Sequence, residues 1–162
     1  DSGLLVYGDL NMIRTILRNL ISNAIKFSHR EGSIEIHAQY KKNGMALIFV
    51  KDYGMGIPCD LHERIFQPGE KVIKKGTNKE KGTGIGLILS REFVERNSGD
   101  IWFDSSEGEG STFYFTLPSV EEAIFFIFQS GHRRGYWAIF EYCVRANRFG
   151  RCLFGQTPVH RA

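Results

Sequence analysis

The sequence has no long hydrophobic run: nothing in it approaches the ~20 apolar residues needed to cross a bilayer, so no membrane span is expected. It is also poor in cysteine. The three it has, Cys59, Cys143 and Cys152, are odd in number, widely spaced and without a C-x-x-C, which excludes a disulfide framework and a zinc knuckle and fits a reducing compartment. No G-K-[ST] occurs anywhere, so a Walker A loop is excluded. Internal repeats are absent as well. What is present is ordinary for a soluble globular chain, with 42% apolar and 24% charged residues in 162, enough for one domain with a real core. The chain opens on Asp1 rather than Met and is expected to be a fragment or a processed product, so the lack of a leader says nothing about a parent protein.

A second absence divides the chain. All nine Lys lie in residues 1–118, where with six Arg they balance 15 Asp and Glu. Residues 119–162 hold no Lys, six Arg, three Glu and six of the 13 Phe. The whole net charge of +3 therefore sits in the last 44 residues, and 1–118 is expected to be the functional domain. The remainder, with Arg133, Arg134, Arg145, Arg148 and Arg151 among aromatics, is read first as an unselected extension, then as a partner-packing segment; single-strand nucleic-acid binding is the third reading. No nucleic-acid partner is expected for the domain.

Asp9 is placed to cap a helix running to about Ser28, because Leu10, Ile13, Ile16, Leu17, Leu20, Ile21 and Ala24 recur at three- and four-residue steps. Residues 34–40 alternate apolar with polar, and Lys41-Lys42-Asn43-Gly44 separates them from the apolar run Met45 to Val50, which predicts a hairpin. A Gly-Pro stretch, Asp52 to Pro58, precedes a short helix expected around Asp60 to Phe66. The Lys- and Gly-dense segment Gln67 to Lys81 reads as a surface loop. A second long helix is expected to start among Gly82, Gly84 and Gly86 and to be capped by Gly99. Strands Asp100–Ser105 and Ser111–Leu117 follow. The order predicts a sheet with long helices on one face, a two-layer α/β sandwich.

Three clusters carry chemistry. In N-L-I-S-N-A-I-K-F, residues 19–27, Asn19, Asn23 and Lys26 share one helical stripe. Amides are poor helix formers and need partners when buried, so two of them beside a Lys invite an oxygen-rich ligand: an amide oxygen suits Mg²⁺, and Lys a phosphate. A solvated helix face is the plain alternative. In D-Y-G-M-G-I, residues 52–57, a carboxylate at a strand end can accept from an exocyclic amine, and Gly54 and Gly56 let a flat ring approach; a simple turn is the alternative. In G-T-G-I-G-L, residues 82–87, glycines lead into a helix whose N-terminal N–H groups favour phosphate, although Leu87 stands where a dinucleotide fingerprint needs its third glycine.

Taken in order, these pieces resemble the ATP-binding catalytic domain of sensor histidine kinases, within the gyrase, Hsp90, histidine kinase and MutL superfamily. Residues 19–27 look like its N box, 52–57 its first glycine box, E-R-I-F-Q-P its F box, 82–87 its second glycine box, and G-E-G-S-T-F-Y-F-T-L-P, residues 108–118, its closing strand. The resemblance implies an α+β, Bergerat-type two-layer sandwich with helices on one face of a mixed sheet, and ATP with Mg²⁺ as cofactors. It implies roles residue by residue. Asn23 would bind the metal, with Asn19 helping to hold metal and phosphates, and Lys26 would contact phosphate. Phe27 would lie at the nucleotide, Asp52 would pair with the adenine amine, and Gly54 and Gly56 would shape the base pocket. Gly82, Thr83, Gly84, Gly86 and Leu87 would form the hinge and phosphate wall. Thr112 would supply a hydroxyl near the adenine. Any of Lys71, Lys74, Lys75, Lys79 and Lys81 in the lid would reach the γ-phosphate.

Superfamily members that hydrolyse ATP carry a Glu four residues before the metal-binding Asn, as general base. Here that position is Asn19, whose amide takes no proton, and phosphoryl transfer to an external nucleophile needs mainly positioning and charge neutralisation. The substitution favours a protein-histidine kinase over an ATPase. A superfamily ATPase or serine kinase, and a nucleotide-sensing module without transfer activity, are the alternatives. The acceptor His is expected on separate dimerisation helices, with a response-regulator receiver domain downstream. His62-Glu63 with Pro68 imitates an acceptor motif but lies inside the F box and is read as a decoy; His29, His37, His132 and His160 are read as surface residues. The domain is expected in the cytoplasm, its parent possibly anchored in the inner membrane.

Overall fold

A computed structural model describes residues 4–29, 32–67, 84–120 and 137–139. The first element is a three-residue strand, β1 (Leu5–Tyr7), followed by helix α1 (Leu10–Phe27). Asp9 caps α1 as expected: its carboxylate accepts the backbone N–H groups of Asn11 and Met12, both at 2.9 Å, satisfying donors with no partner inside the helix. Ile13, Ile16, Leu20 and Ala24 form the buried stripe. Burial of each large side chain, at about 1.5–3 kcal/mol, outweighs the few tenths of a kcal/mol that Asn19 and Asn23 each cost as interior helix residues. Ser28 ends the helix by turning extended and bridging to Gly54.

Strands β2 (Ile34–Tyr40) and β3 (Met45–Asp52) form the expected hairpin, with Ile34 opposite Asp52 and Tyr40 opposite Ala46. Gly44 takes the positive φ of 75° that the turn requires. Helix α2 spans Gly86–Arg96, and β4 (Ile101–Ser106) and β5 (Gly110–Pro118) make a second hairpin. The strand order is β2-β3-β5-β4. Ala46, Ile48 and Val50 of β3 and Phe113, Phe115 and Leu117 of β5 share a core with the α1 stripe and Val94 of α2, so the helices lie on one face and the two-layer α+β reading holds.

Three expectations are corrected. The described sheet is antiparallel throughout, not mixed, because both local connections are hairpins and the crossover from β3 by way of α2 and β4 brings β5 back antiparallel. The helix expected at 60–66 is a 3₁₀ turn, Cys59–Leu61, continued by turns to Phe66. Its backbone bonds run mainly from i+3 to i, as from Leu61 N–H to Pro58 O at 3.0 Å, a tighter winding used in short pieces, and it suffices to bury Ile65. The cap of α2 comes one residue before Gly99. Ser98 adopts φ 58°, its N–H bonds Glu95 O, and the Gly99 N–H bonds Val94 O, each at 3.0 Å, which is a Schellman motif with serine in the left-handed position. Gly99 is needed for a different reason: a Cβ there would lie 1.9 Å from Thr116 O. Ser98→Gly should therefore raise stability by about 1 kcal/mol, the cost of a left-handed L-residue, as read by urea denaturation at unchanged slope.

Strand β1 was not predicted, since three residues are too few to show a period. It bridges Val6 to Ser119 at the end of β5, and Tyr40 Oη accepts the Leu5 N–H at 2.6 Å. Trp137–Ile139 forms β6, which pairs antiparallel with β1. The other residues of 121–162, including His132, His160, Cys143, Cys152 and the arginines, lie outside the described residues.

Candidate nucleotide site

The C-terminal half of α1 is joined to two segments remote in sequence: to the start of α2 through Asn19, and to the loop after β3 through Phe27 and Ser28. The contact between α1 and α2 is made by Asn19. Its Nδ2 donates to Gly86 O at 3.0 Å and to Ser90 Oγ at 3.2 Å, while Ser90 Oγ donates to Gly86 O at 2.8 Å. At the far end of the same pair of helices Asn97 does the matching work: its Oδ1 accepts the Asp9 N–H and its Nδ2 donates to Phe93 O, both at 2.7 Å. The two helices are thus fastened by amides at two places, the middle of α1 against the start of α2 and the start of α1 against the end of α2. Asn23 and Lys26 continue the stripe one and two turns on from Asn19, and both are half-buried. Lys26 Nζ lies 5.0 Å from the centroid of the Phe27 ring, within cation–π range.

The end of α1 is sewn to the first glycine box. Phe27 O accepts the Met55 N–H at 3.1 Å, and Ser28 bridges Gly54. A Cβ on Gly54 would stand 2.0 Å from Phe27 O, and one on Gly56, whose φ is +65°, would stand 1.9 Å from Ser106 O. These glycines are therefore required by backbone packing as well as by any ligand. On the other side the box rests on the β4–β5 turn, where Gly108 N–H bonds Met55 O at 2.8 Å and Ser105 Oγ accepts the Ile57 N–H at 2.8 Å.

Asp52, the last residue of β3, is only 4% exposed. Burial pushes its carboxyl above the ordinary aspartate range, opposed by hydrogen bonds from the backbone N–H groups of Gly54 and Ser111. A buried carboxylate held by backbone donors keeps further acceptor capacity, since its two oxygens together offer about four lone-pair sites.

The hydroxyl expected from Thr112 is not on this face. Thr112 pairs with Lys51 and Asp104 and shares the outer side of β5 with Tyr114, which stacks on Trp102 at 5.4 Å and lies beside Phe49 at 5.7 Å. Alternation along the strand instead puts Ser111 on the Asp52 side, directly opposite it in register. Ser111 Oγ is 2.9 Å from Ser105 Oγ, which donates to Gly110 O at 2.9 Å. Sequence reasoning missed Ser111, Ser105, Ser90 and Asn97. Parity counted back from the buried Phe113 would have found Ser111; the others carry no sequence signal.

Gly84, with φ +69°, and Gly86 lead into α2, whose first turn has no side-chain cap. Leu87 packs against the core. Gly82, Thr83 and the lid lysines Lys71, Lys74, Lys75, Lys79 and Lys81 lie outside the described residues. The decoy reading of His62 fits its surroundings: Nε2 lies 2.9 Å from Ile57 O and the ring meets Phe103 edge-on at 5.0 Å. His29 and His37 are exposed.

Residues 8–121 match the profile of the family described as histidine kinase-, DNA gyrase B- and HSP90-like ATPases. The chain belongs to that family. The catalytic domain of histidine kinase ThkA has a solved structure to which the chain is similar at a TM-score of 0.59 and 31% identity, over 70% of each chain. Sensor histidine kinase WalK of Bacillus subtilis (strain 168) is 42% identical over 123 residues, 75% of this chain and 20% of that protein. Full-length ShkA, solved in complex with AMPPNP, is similar at 27% identity over 70% of this chain and 23% of that one. This family member is therefore an ATP-binding catalytic domain of the histidine kinase type, and it spans about a fifth of the WalK it matches. No helix among the described residues is long and apolar enough to cross a membrane.

Proposed function

We propose that residues 1–118 bind Mg²⁺-ATP between α1, the end of β3 and the start of α2, and pass its γ-phosphoryl to a histidine on the dimerisation helices of a parent kinase, which then serves a response-regulator receiver domain. The observation that supports the reading is that α1, which carries Asn19, Asn23 and Lys26 on one stripe, is bonded through Asn19 to Gly86 and through Phe27 and Ser28 to the Asp52–Gly56 box, with an amide in the position where hydrolytic relatives hold a base. Adenine sits on Asp52, its amine donating to the carboxylate, with Gly54 and Gly56 beneath it and Ser111 nearby in place of Thr112. Lys26 and the glycine-led start of α2, residues 84–87, face the phosphates. Such a domain works in the cytoplasm, where ATP is supplied.

The donor set fits magnesium. No group of three or more His, Cys, Asp or Glu that could hold a metal occurs among the described residues, so a cation must come largely with its own anion. The Asn19 amide uses its nitrogen on Gly86 and Ser90 and carries an amide oxygen, and magnesium takes oxygen ligands and keeps several waters. Bound magnesium would neutralise charge on the triphosphate; Asn19 and Asn23 would hold it, and Lys26 would add a further positive charge. The Ser28 hydroxyl, buried and without a hydrogen-bond partner, lies on the seam two residues beyond Asp52 in register and leaves a polar group for a ligand to satisfy.

The test mixes the chain with histidine-bearing helices of the parent kinase and ATP labelled at the γ-phosphate. Acid-labile label on the helices is expected; steady phosphate release with no labelled helix would show an ATPase instead. Asn23→Ala should weaken binding of Mg²⁺-ATP by about tenfold, the worth of one charge-assisted contact, and leave adenosine binding unchanged, as measured by calorimetry. Equal affinity of variant and parent for Mg²⁺-ATP would remove Asn23 from the site.

A further inference from the structure

The first glycine box, residues 52–57, is fixed along its length by bonds that differ in kind. Its start is set by the sheet: Asp52 stands opposite Ser111 in the β3–β5 register. Its middle is set by backbone, since Met55 donates to Phe27 O at 3.1 Å and accepts the Gly108 N–H at 2.8 Å. Its end is set by side chains. The Ile57 N–H donates to Ser105 Oγ at 2.8 Å. The Ile57 carbonyl lies 2.9 Å from His62 Nε2, which must be the donor because a carbonyl only accepts. Ser105 is also the residue opposite Ser111 in the β4–β5 pairing, and the two hydroxyls are 2.9 Å apart. Ser105 therefore ties the last residue of the box to the strand that holds its first, closing a circuit through Asp52, Ser111, Ser105 and Ile57.

We propose that Ser105 is a positioning residue for the adenine pocket, fixing the end of the first glycine box at Ile57 so that Asp52 and the backbone of Gly54 and Gly56 keep one spacing. His62 is the second pin on the same residue, supplied by the turn that follows the box. The bonds at Met55 use no side chain, so the end at Ile57 is where a side-chain change alters the spacing. Removing the Ser105 hydroxyl takes that partner from the Ile57 N–H and leaves His62 and the packing of the Ile57 side chain against the core to hold this end. Ser105 acts through Ile57 and not on the nucleotide. The proposal rests on the reading of Asp52 and its glycines as the adenine pocket.

The experiment compares the parent chain with Ser105→Ala, Ser105→Thr and Val6→Ala, the last a truncation of a buried core residue on β1, outside the box and its pins. By calorimetry Ser105→Ala should weaken adenosine binding about fivefold, the worth of one ordinary hydrogen bond. Ser105→Thr, which keeps the hydroxyl, should restore the parent affinity. Followed by NMR, exchange of the Ile57 amide with water should quicken in Ser105→Ala more than that of Phe115, which is 1% exposed in the core and reports opening of the whole fold. It should return to the parent rate in Ser105→Thr. Val6→Ala should lower stability at least as much as Ser105→Ala and leave adenosine affinity unchanged. The proposal is overturned if Ser105→Ala binds adenosine as the parent does, if Ile57 and Phe115 exchange quicken equally, or if Val6→Ala weakens adenosine binding as much as Ser105→Ala. A parent chain that binds no adenosine overturns it together with the site reading, and differs from those failures because in them the parent still binds.

Discussion

Replacing Asp52 by alanine should lower the affinity for ATP by roughly a hundredfold, the upper range for loss of a hydrogen bond to a charged, buried acceptor. The size of the effect comes from burial. At 4% exposure the carboxylate has little water to fall back on, and its backbone donors, Gly54 and Ser111, are provided by the turn and the neighbouring strand whether or not a ligand is present. An adenine amine therefore completes a shell rather than displacing one. The pH dependence has two opposite signs. Because burial raises the folded-state pKa, the carboxyl contributes to the stability of the ligand-free fold when protonated, below the ordinary aspartate range, and that contribution is lost as pH rises through the raised value. Asp52→Asn should accordingly leave the ligand-free domain at least as stable as the parent at neutral pH, with the advantage fading on acidification. Binding runs the other way: the amine needs the ionised acceptor, so affinity for adenosine, which carries no titrating phosphate, should fall as pH drops through the raised value. Thermal unfolding and adenosine titration across acidic to neutral pH check both; a variant that loses stability and affinity together would make Asp52 a structural residue.

That Asp52 could be singled out from sequence at all depends on locality. The cap at Asp9, the α1 stripe and the Asn43-Gly44 hairpin are set within a few residues of themselves, and each forms as the local pattern requires. The motif residues on α1 follow from 3.6-residue periodicity alone. What failed was non-local or finely balanced. Thr112 and Ser111 are adjacent, and which hydroxyl faces Asp52 is decided by strand register, where a slip of one residue exchanges the faces. The turn after Pro58 and the cap at Ser98 differ from expectation by i+3 instead of i+4 bonding and by one residue in position, differences of about 1 kcal/mol that composition does not resolve. Ser90 and Asn97 look like unremarkable helix residues until the partner helix is placed against them. The motifs were legible because each is local in sequence; the fastening of the segments that carry them was not, because it is made between elements.

Gly54→Ala should be among the more damaging single methyls in the described residues, costing about 3–4 kcal/mol, at the upper end of overpacking effects, and lowering the melting temperature by roughly 10–15 °C for a chain of this size. The added Cβ would stand 2.0 Å from Phe27 O, 2.6 Å from Phe27 C and 2.8 Å from Ser28 Cα, all backbone atoms, so no side-chain rotation relieves the clash. The peptide that would have to move is the one whose carbonyl receives the Met55 N–H and whose next residue forms the bridge to Gly54. Moving it separates the end of α1 from the first glycine box, so Phe27 and Asp52 lose their relative placement even in molecules that still fold. Gly108 provides the control. Unlike Gly54 it has a positive φ, +85°, and a Cβ there would meet nothing within 4 Å, so Gly108→Ala should cost only the left-handed strain of roughly 1–2 kcal/mol and leave adenosine affinity intact. Chemical denaturation and adenosine titration of both variants distinguish the two costs: a stability loss in Gly54→Ala no larger than in Gly108→Ala would mean that the seam between α1 and the glycine box yields to a methyl, and unchanged adenosine affinity would mean that the seam does not place the site.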